Sequence, residues 1–195
     1  METAMPLNPL HLVRLAWETL GILWLIGMAF TKRAVRKQPG GWRLLHFALG
    51  MVGFVLIAGI WFQPEQMQER FVPGTAPALQ TAGLAITLAG CLFAAWARVV
   101  LGGNWSGRAT VKADHELITR GPYALARHPI YTGLLTALAG TVMVIGTWRA
   151  VAGFAIIVLA FVIKIRQEEI LMMETFPEAY PRYRQRVKAL IPGVL

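Results

Sequence analysis

The segment Gly121-Pro122-Tyr123-Ala124-Leu125-Ala126-Arg127-His128-Pro129-Ile130-Tyr131-Thr132-Gly133 sets a dense polar and aromatic cluster at the mouth of an apolar stretch. The next apolar stretch ends in Lys164-Ile165-Arg166-Gln167-Glu168-Glu169. Ionisable groups at membrane depth are expensive to place, and they mark functional sites. Pro129 falls where a helix tolerates proline, in its first turn, where the missing N–H costs nothing. Arg127 and His128 then stand at a helix entrance, beside unpaired N–H groups and the positive end of the dipole. Such an end suits an anionic ligand group. Lys164 and Glu168 are four apart and face the same way. Taken alone, 164–169 reads as a solvated interfacial charge run; beside the 121–133 cluster it reads as the other half of a site.

The elements that must hold these groups are oily. Hydrophobic residues make up 56% of the chain and charged ones only 15%, with mean hydropathy +0.52. That excludes an ordinary soluble domain. Uncharged runs at 44–64, 71–97, 128–148 and 150–163 each read as a membrane-spanning candidate, since about 20 apolar residues cross a roughly 30 Å core. Residues 12–30 add a fifth, interrupted by Arg14 and Glu18, which sit four apart and are placed to pair. No basic region or small-residue cleavage site marks that run as a signal peptide. The expectation is an all-α integral membrane protein with five transmembrane helices, a C-terminal helical hairpin and an interfacial tail. One membrane domain spans 1–195: a three-helix part at 1–103, then a core at 104–195.

Basic residues set the orientation. Lys32, Arg33, Arg36, Lys37 and Arg43 crowd the first connection without an acid, and the tail carries Arg182, Arg184, Arg186 and Lys188. Basic loops stay cytoplasmic. The N-terminus is therefore expected outside, with the polar cluster and the C-terminus cytoplasmic. Net charge of +9 then reflects topology and attraction to anionic membrane lipids, and nucleic acid is not expected as a partner. Cys91 is the only cysteine; a buried inert thiol is expected, and no metal-ligand spacing is present.

Gly133, Ala137 and Thr141 recur at four-residue spacing and predict close helix packing. They are expected to bring the fourth and fifth helices side by side as an antiparallel hairpin. The uncharged part of the fifth, 150–163, gives only about 21 Å at 1.5 Å per residue, so Lys164 and Arg166 are expected near its end. Tyr180, Tyr183 and Val187 share a helical face among arginines, as an interfacial segment or a lid folded over the pocket.

At these residues the chain resembles the integral-membrane methyltransferase family typified by isoprenylcysteine carboxyl methyltransferase, which also takes in phospholipid N-methyltransferases. The likeness runs from about Asn104 to Pro192 in ordered blocks: His-x-Leu-Ile at His115–Ile118, Gly-x-Tyr at Gly121–Tyr123, and Arg-His-Pro-x-Tyr-x-Gly at Arg127–Gly133. Glu-Glu at 168–169, Phe-x-x-x-Tyr-x-x-Tyr at Phe176–Tyr183 and the late Ile191-Pro192 follow. The resemblance implies S-adenosyl-L-methionine as cofactor. Its contacts, carried over by position, are His115, Glu116, Leu117, Ile118, Tyr123, His128, Pro129, Ile130, Tyr131 and Glu168. A tyrosine ring at Tyr123 or Tyr131 suits the cationic sulfonium. Arg127, Lys164, Arg166 and Glu169 are the catalytic candidates, the three basic ones for positioning an anionic acceptor. The implied acceptor is a lipophilic small molecule or a lipid-modified substrate; a prokaryotic inner membrane and an endomembrane both fit, and the short minimal form favours the prokaryotic inner membrane. Lys164 stands where the family's substrate-orienting arginine would align, and lysine does not reproduce a bidentate guanidinium contact. Carboxyl, amine and thiol acceptors stay open. An NADPH-dependent reductase of sterol-reductase-like architecture and a small non-enzymatic transporter or scaffold are the competing classes.

Overall fold

Proline opens three of the long helices. Pro9, Pro77 and Pro129 each fall in the first turn, where their fixed φ is already helical. A computed structural model describes residues 8–31, 34–37, 41–59, 65, 69–71, 76–105, 110–112 and 116–190. Helix α1 covers Pro9–Met28 and starts with the Asn8 side chain accepting from the Leu10 N–H at 3.0 Å. A short strand β1 (Ala34–Lys37) leads to α2 (Gly41–Ala58) and then α3 (Pro77–Leu101). Gly102 turns out of α3 at φ +55° into a 3₁₀ turn over Gly102–Asn104. Strand β2 (Thr110–Lys112) pairs antiparallel with β1, the described exception to a helical fold. That pairing puts the first and third connections at one end of the molecule. Helices α4 (Pro129–Ile145), α5 (Trp148–Thr175) and α6 (Ala179–Arg186) complete the chain.

Length and composition allow three helices to cross a membrane: Pro9–Met28, Pro77–Asn104 and Trp148–Thr175. Leu44–Ala58 and Pro129–Ile145 are apolar but shorter. The Arg14–Glu18 pair forms, with Nε at 2.7 Å from Oε1, and Cys91 is buried.

Small residues decide which helices touch. A side chain on Gly90 would run into the backbone of Ala137 and Gly133, and one on Gly140 into Gly83 and Thr87. The stripe on α4 therefore packs against α3, while α4 and α5 touch far less. This corrects the expected partner: spacing fixes that a stripe packs closely, and the complementary Gly83, Gly90 and Ala94 sit on α3. Thr87 and Thr141 seal the seam by donating to carbonyls within it, and the Trp17 indole donates to Thr141 Oγ1 at 3.0 Å. Gly53 and Gly153 do the same for α2 on α5. Two packets result, α1–α3–α4 and α2–α5, joined at the tight Gly146-Thr147 connection and again near Glu168. A second correction concerns α5. It runs unbroken for 28 residues, roughly 42 Å, because its charged residues are good helix formers and continue the helix. Lys164 is thus well inside a helix and not at its end.

Candidate functional site

The approach to α4 is bent by Gly121, at φ +60°, into a 3₁₀ turn over Gly121–Ala124. That turn buries Tyr123, whose hydroxyl donates to the Ala97 carbonyl of α3 at 3.4 Å. His128 is the cap residue of α4 and Pro129 its first residue. The N–H groups just before the helix have partners: Arg127 donates to Lys188 O at 2.8 Å and His128 to Ala189 O at 2.9 Å. Thr132 Oγ1 donates to Leu190 O at 2.8 Å. The tail has folded back onto the helix entrance, the lid alternative, and it takes up the N–H groups of Arg127 and His128.

Helix α5 supplies the opposite wall. The Tyr131 hydroxyl donates to Glu168 Oε1 at 2.7 Å, and His128 Nδ1 lies 3.6 Å from Glu168 Oε2. The imidazole stacks on the Tyr131 ring with centroids 5.6 Å apart. Phe161 lies 4.8 Å from that ring, and Lys164 Nζ 5.3 Å from its centroid. Glu169 points differently. It accepts from Arg127 Nε at 2.8 Å and from Nη2 of the same guanidinium, both side chains being largely buried. Arg127 Nη1 reaches on to the Val187 carbonyl. Arg127 and Glu169 therefore latch the tail to α5. Tyr183 adds a hydroxyl donated to Tyr123 O. Burial pushes its phenol up to about 12 and those of Tyr123 and Tyr180 higher. All three remain neutral at physiological pH.

Two cavities approach one another here: Tyr131 lines the smaller, and Phe161 and Lys164, which face its ring, line the larger. The smaller, about 140 Å³, is enclosed by Glu116, Leu117, Ile118, Tyr123, His128, Pro129, Ile130, Tyr131 and Glu168. These are the residues expected to contact a cofactor, apart from His115, which lies outside the described residues. Asn104, Trp105, Leu171, Met172, Tyr180 and Tyr183 complete the wall and were not foreseen as contacts. Their one sequence signal was position, Asn104 in the glycine-rich break of α3 and the tyrosines on one face of the tail. Asn104 Oδ1 is buried without a hydrogen-bond partner among the described residues. The larger cavity, about 1650 Å³, lies between the two packets and is lined by Leu134, Phe161 and Lys164 where it nears Tyr131. Of the catalytic candidates, Arg127 borders the small cavity and Lys164 the large one, and Glu169 holds Arg127. Arg166 is not brought in: it is exposed and lines neither cavity, because two residues along a helix is a turn of about 200° away from Lys164.

The family model described as the isoprenylcysteine carboxyl methyltransferase (ICMT) family matches residues 83–174. Over 154 residues the chain is 29% identical to protein-S-isoprenylcysteine O-methyltransferase B of Arabidopsis thaliana, covering 76% of this chain and 75% of that one. It is 28% identical over 162 residues to the cobalt-zinc-cadmium resistance protein CzcN of Cupriavidus metallidurans, over 80% of this chain and 64% of that one. The solved structure of the eukaryotic intramembrane Ras methyltransferase ICMT superposes with a TM-score of 0.54 at 21% identity, over 82% of this chain and 55% of the other. That likeness is one of fold. The chain thus spans three quarters of the plant relative, under two thirds of the bacterial one and about half of the solved one.

Proposed function

We propose that this chain, which matches the isoprenylcysteine carboxyl methyltransferase family over residues 83–174 and is similar to relatives named as protein-S-isoprenylcysteine O-methyltransferases, is an S-adenosyl-L-methionine-dependent methyltransferase acting on a lipophilic acceptor drawn from the bilayer. The observation that carries this reading is that one small cavity gathers Glu116–Ile118, Tyr123, His128–Tyr131 and Glu168 and adjoins a large apolar cavity at Tyr131 and Lys164. When bound, the cofactor supplies an electrophilic methyl group on a sulfonium. The residues present suit such a ligand. Glu168 offers a carboxylate for an ammonium or ribose hydroxyls, Asn104 Oδ1 is a buried acceptor in want of a donor, and Leu117 and Ile118 give apolar surface. Tyr131 is held by His128, Phe161 and Glu168 and does not drift. At about 140 Å³ the cavity matches one that admits benzene, so a nucleoside enters only as the α6 wall yields.

Methyl transfer needs an in-line nucleophile at near-attack distance and a site that excludes water. The buried Tyr123, Tyr180 and Tyr183 do the excluding. Lys164, on the boundary between the two cavities, positions the acceptor's polar group. Relatives are named for isoprenylcysteine O-methylation; carboxyl, amine and thiol acceptors are all compatible with a lysine there. Counting the two shorter helices gives five spans. The basic first and third connections share an end, as the β1–β2 pairing requires, and we read that end as cytoplasmic, with the N-terminus outside in a prokaryotic inner membrane.

The test is calorimetric titration of detergent-solubilised protein with S-adenosylhomocysteine, with NADPH as control, followed by labelled methyl transfer to lipids, thiols and prenylcysteine analogues. Micromolar binding of S-adenosylhomocysteine alone supports the reading. Binding of NADPH alone, or of neither by folded protein, refutes it.

A further inference from the structure

The large cavity has a second polar end, remote from Lys164 and unused by the chemistry above. Here the Arg70–Thr147 bridge joins the loop before α3 to the start of α5. Arg70, Thr147 and Arg149 all line the cavity at this end. The Arg70 guanidinium lies over Gly146 and that of Arg149 over Gly59, each closer than van der Waals contact to where a Cβ there would sit. Arg149 is fixed by donating Nη1 to the carbonyls of Leu56 and Ile57 at 2.7 and 2.8 Å, which caps α2. Thr147 is 8% exposed, and its hydroxyl has no hydrogen-bond partner among the described residues. Although it stands at the cap position of α5, it makes no capping bond. A buried hydroxyl left unpaired is costly, so this hydroxyl is placed to take a further hydrogen bond.

Charge says what the partner is. Among the described residues, every ionisable side chain lining the cavity is basic or histidine, and none is a carboxylate. Of the nearest acids, Glu18 is taken up by Arg14 and Glu69 is exposed and outside the lining. From the arginines inward the wall is mostly apolar, with Phe47, Met51, Phe54 and Ile157 among its residues. Phe71 and Trp148, in edge contact at 5.8 Å, stand beside this end as aromatic residues do at a head-group level. A free anion would leave that apolar wall unfilled, whereas an amphiphile uses both. We infer that the cavity end formed by Arg70, Thr147 and Arg149 binds the phosphate-bearing head group of an anionic membrane phospholipid, whose chains occupy the cavity. The inference does not depend on the methyl-transfer reading, and its test needs neither cofactor nor acceptor.

The full-length protein is purified in mild detergent, weighed by native mass spectrometry, delipidated, and titrated with phosphatidylglycerol, phosphatidylcholine or inorganic phosphate while its melting temperature is followed. The expected result is one retained anionic phospholipid and a rise in melting temperature with phosphatidylglycerol well beyond that with the other two. Arg70→Gln and Thr147→Val should each weaken phosphatidylglycerol binding about tenfold, the loss of one charge-assisted contact. Arg182→Gln, an exposed arginine elsewhere, should not. Thr147→Val keeps the shape and removes no cap, so it decides the matter even if Arg70→Gln folds poorly. Equal stabilisation by phosphatidylcholine overturns the inference, as does inorganic phosphate acting as well as the lipid, or unaltered affinity in folded Thr147→Val.

Discussion

Glu168 and Glu169 are neighbours in sequence with separate tasks. Glu168 faces the small cavity and receives the Tyr131 hydroxyl, whereas Glu169 is turned to Arg127 and the tail. Replacing each by glutamine separates them. Glu168→Gln keeps an acceptor for Tyr131 but removes the charge, so S-adenosylhomocysteine affinity should fall about tenfold or more with the melting temperature held. Glu169→Gln leaves Arg127 buried without its counter-charge, which costs about 3–5 kcal/mol. Its signature should be a lower melting temperature and faster proteolysis after Arg184. If both variants lose affinity alike and neither loses stability, the division is wrong. Lys164→Ala should lower turnover while leaving cofactor affinity within about twofold, because its ammonium stands over the Tyr131 ring and lines the large cavity rather than the small one, so its loss removes no direct cofactor contact. Restoration of turnover by Lys164→Arg would mark a positioning role.

At the level of the helices, the α3–α4 seam has no room for a methyl group at Gly90, where backbone atoms of α4 stand in the way. Gly90→Ala should cost about 1–3 kcal/mol through forced separation. Gly21→Ala, where nothing lies within 4 Å, should be neutral or stabilising by about 0.5–1 kcal/mol. Thermal unfolding in one detergent compares the two directly. The seam also shows what could be read beforehand. Pro129 announced the start of α4, because that follows from backbone chemistry local to the residue. The partner of the Gly133–Thr141 stripe was not legible, since periodicity gives a face but not its neighbour. The length of α5 was missed because Lys164 and Arg166 read as an interface, although a helix continues through charges that find partners. The tail was ambiguous for a related reason. Tyr180 and Tyr183 on one face suit a membrane surface and a protein cavity equally, and only the Arg127 latch and the Tyr123 carbonyl decide between them.

On the scale of the molecule, the two packets create the functional space by failing to close. Small-residue seams hold α3 to α4 and α2 to α5, while α4 and α5 meet closely only near their ends, and the volume between the packets persists as a cavity of about 1650 Å³. In water such a volume lined by Phe47, Met51 and Phe54 would collapse; in a bilayer, lipid or acceptor chains fill it at little cost. The cavity is thus a passage from the membrane to Tyr131, and blocking it should separate acceptor binding from cofactor binding. Gly50 lines the passage, and a Cβ there would meet nothing within 4 Å, so Gly50→Phe starts its bulk in open space. With the acceptor found by the methyl-transfer screen, Gly50→Phe should raise KM about tenfold, roughly 1.4 kcal/mol of lost binding, and change kcat little. S-adenosylhomocysteine affinity should match that of the parent protein, because the small cavity lies on the far side of Tyr131. A variant that keeps its KM for a long-chain acceptor would mean that the acceptor arrives by another route. A variant that loses cofactor affinity as well would mean that the two packets shift together, and that the cavities behave as one site.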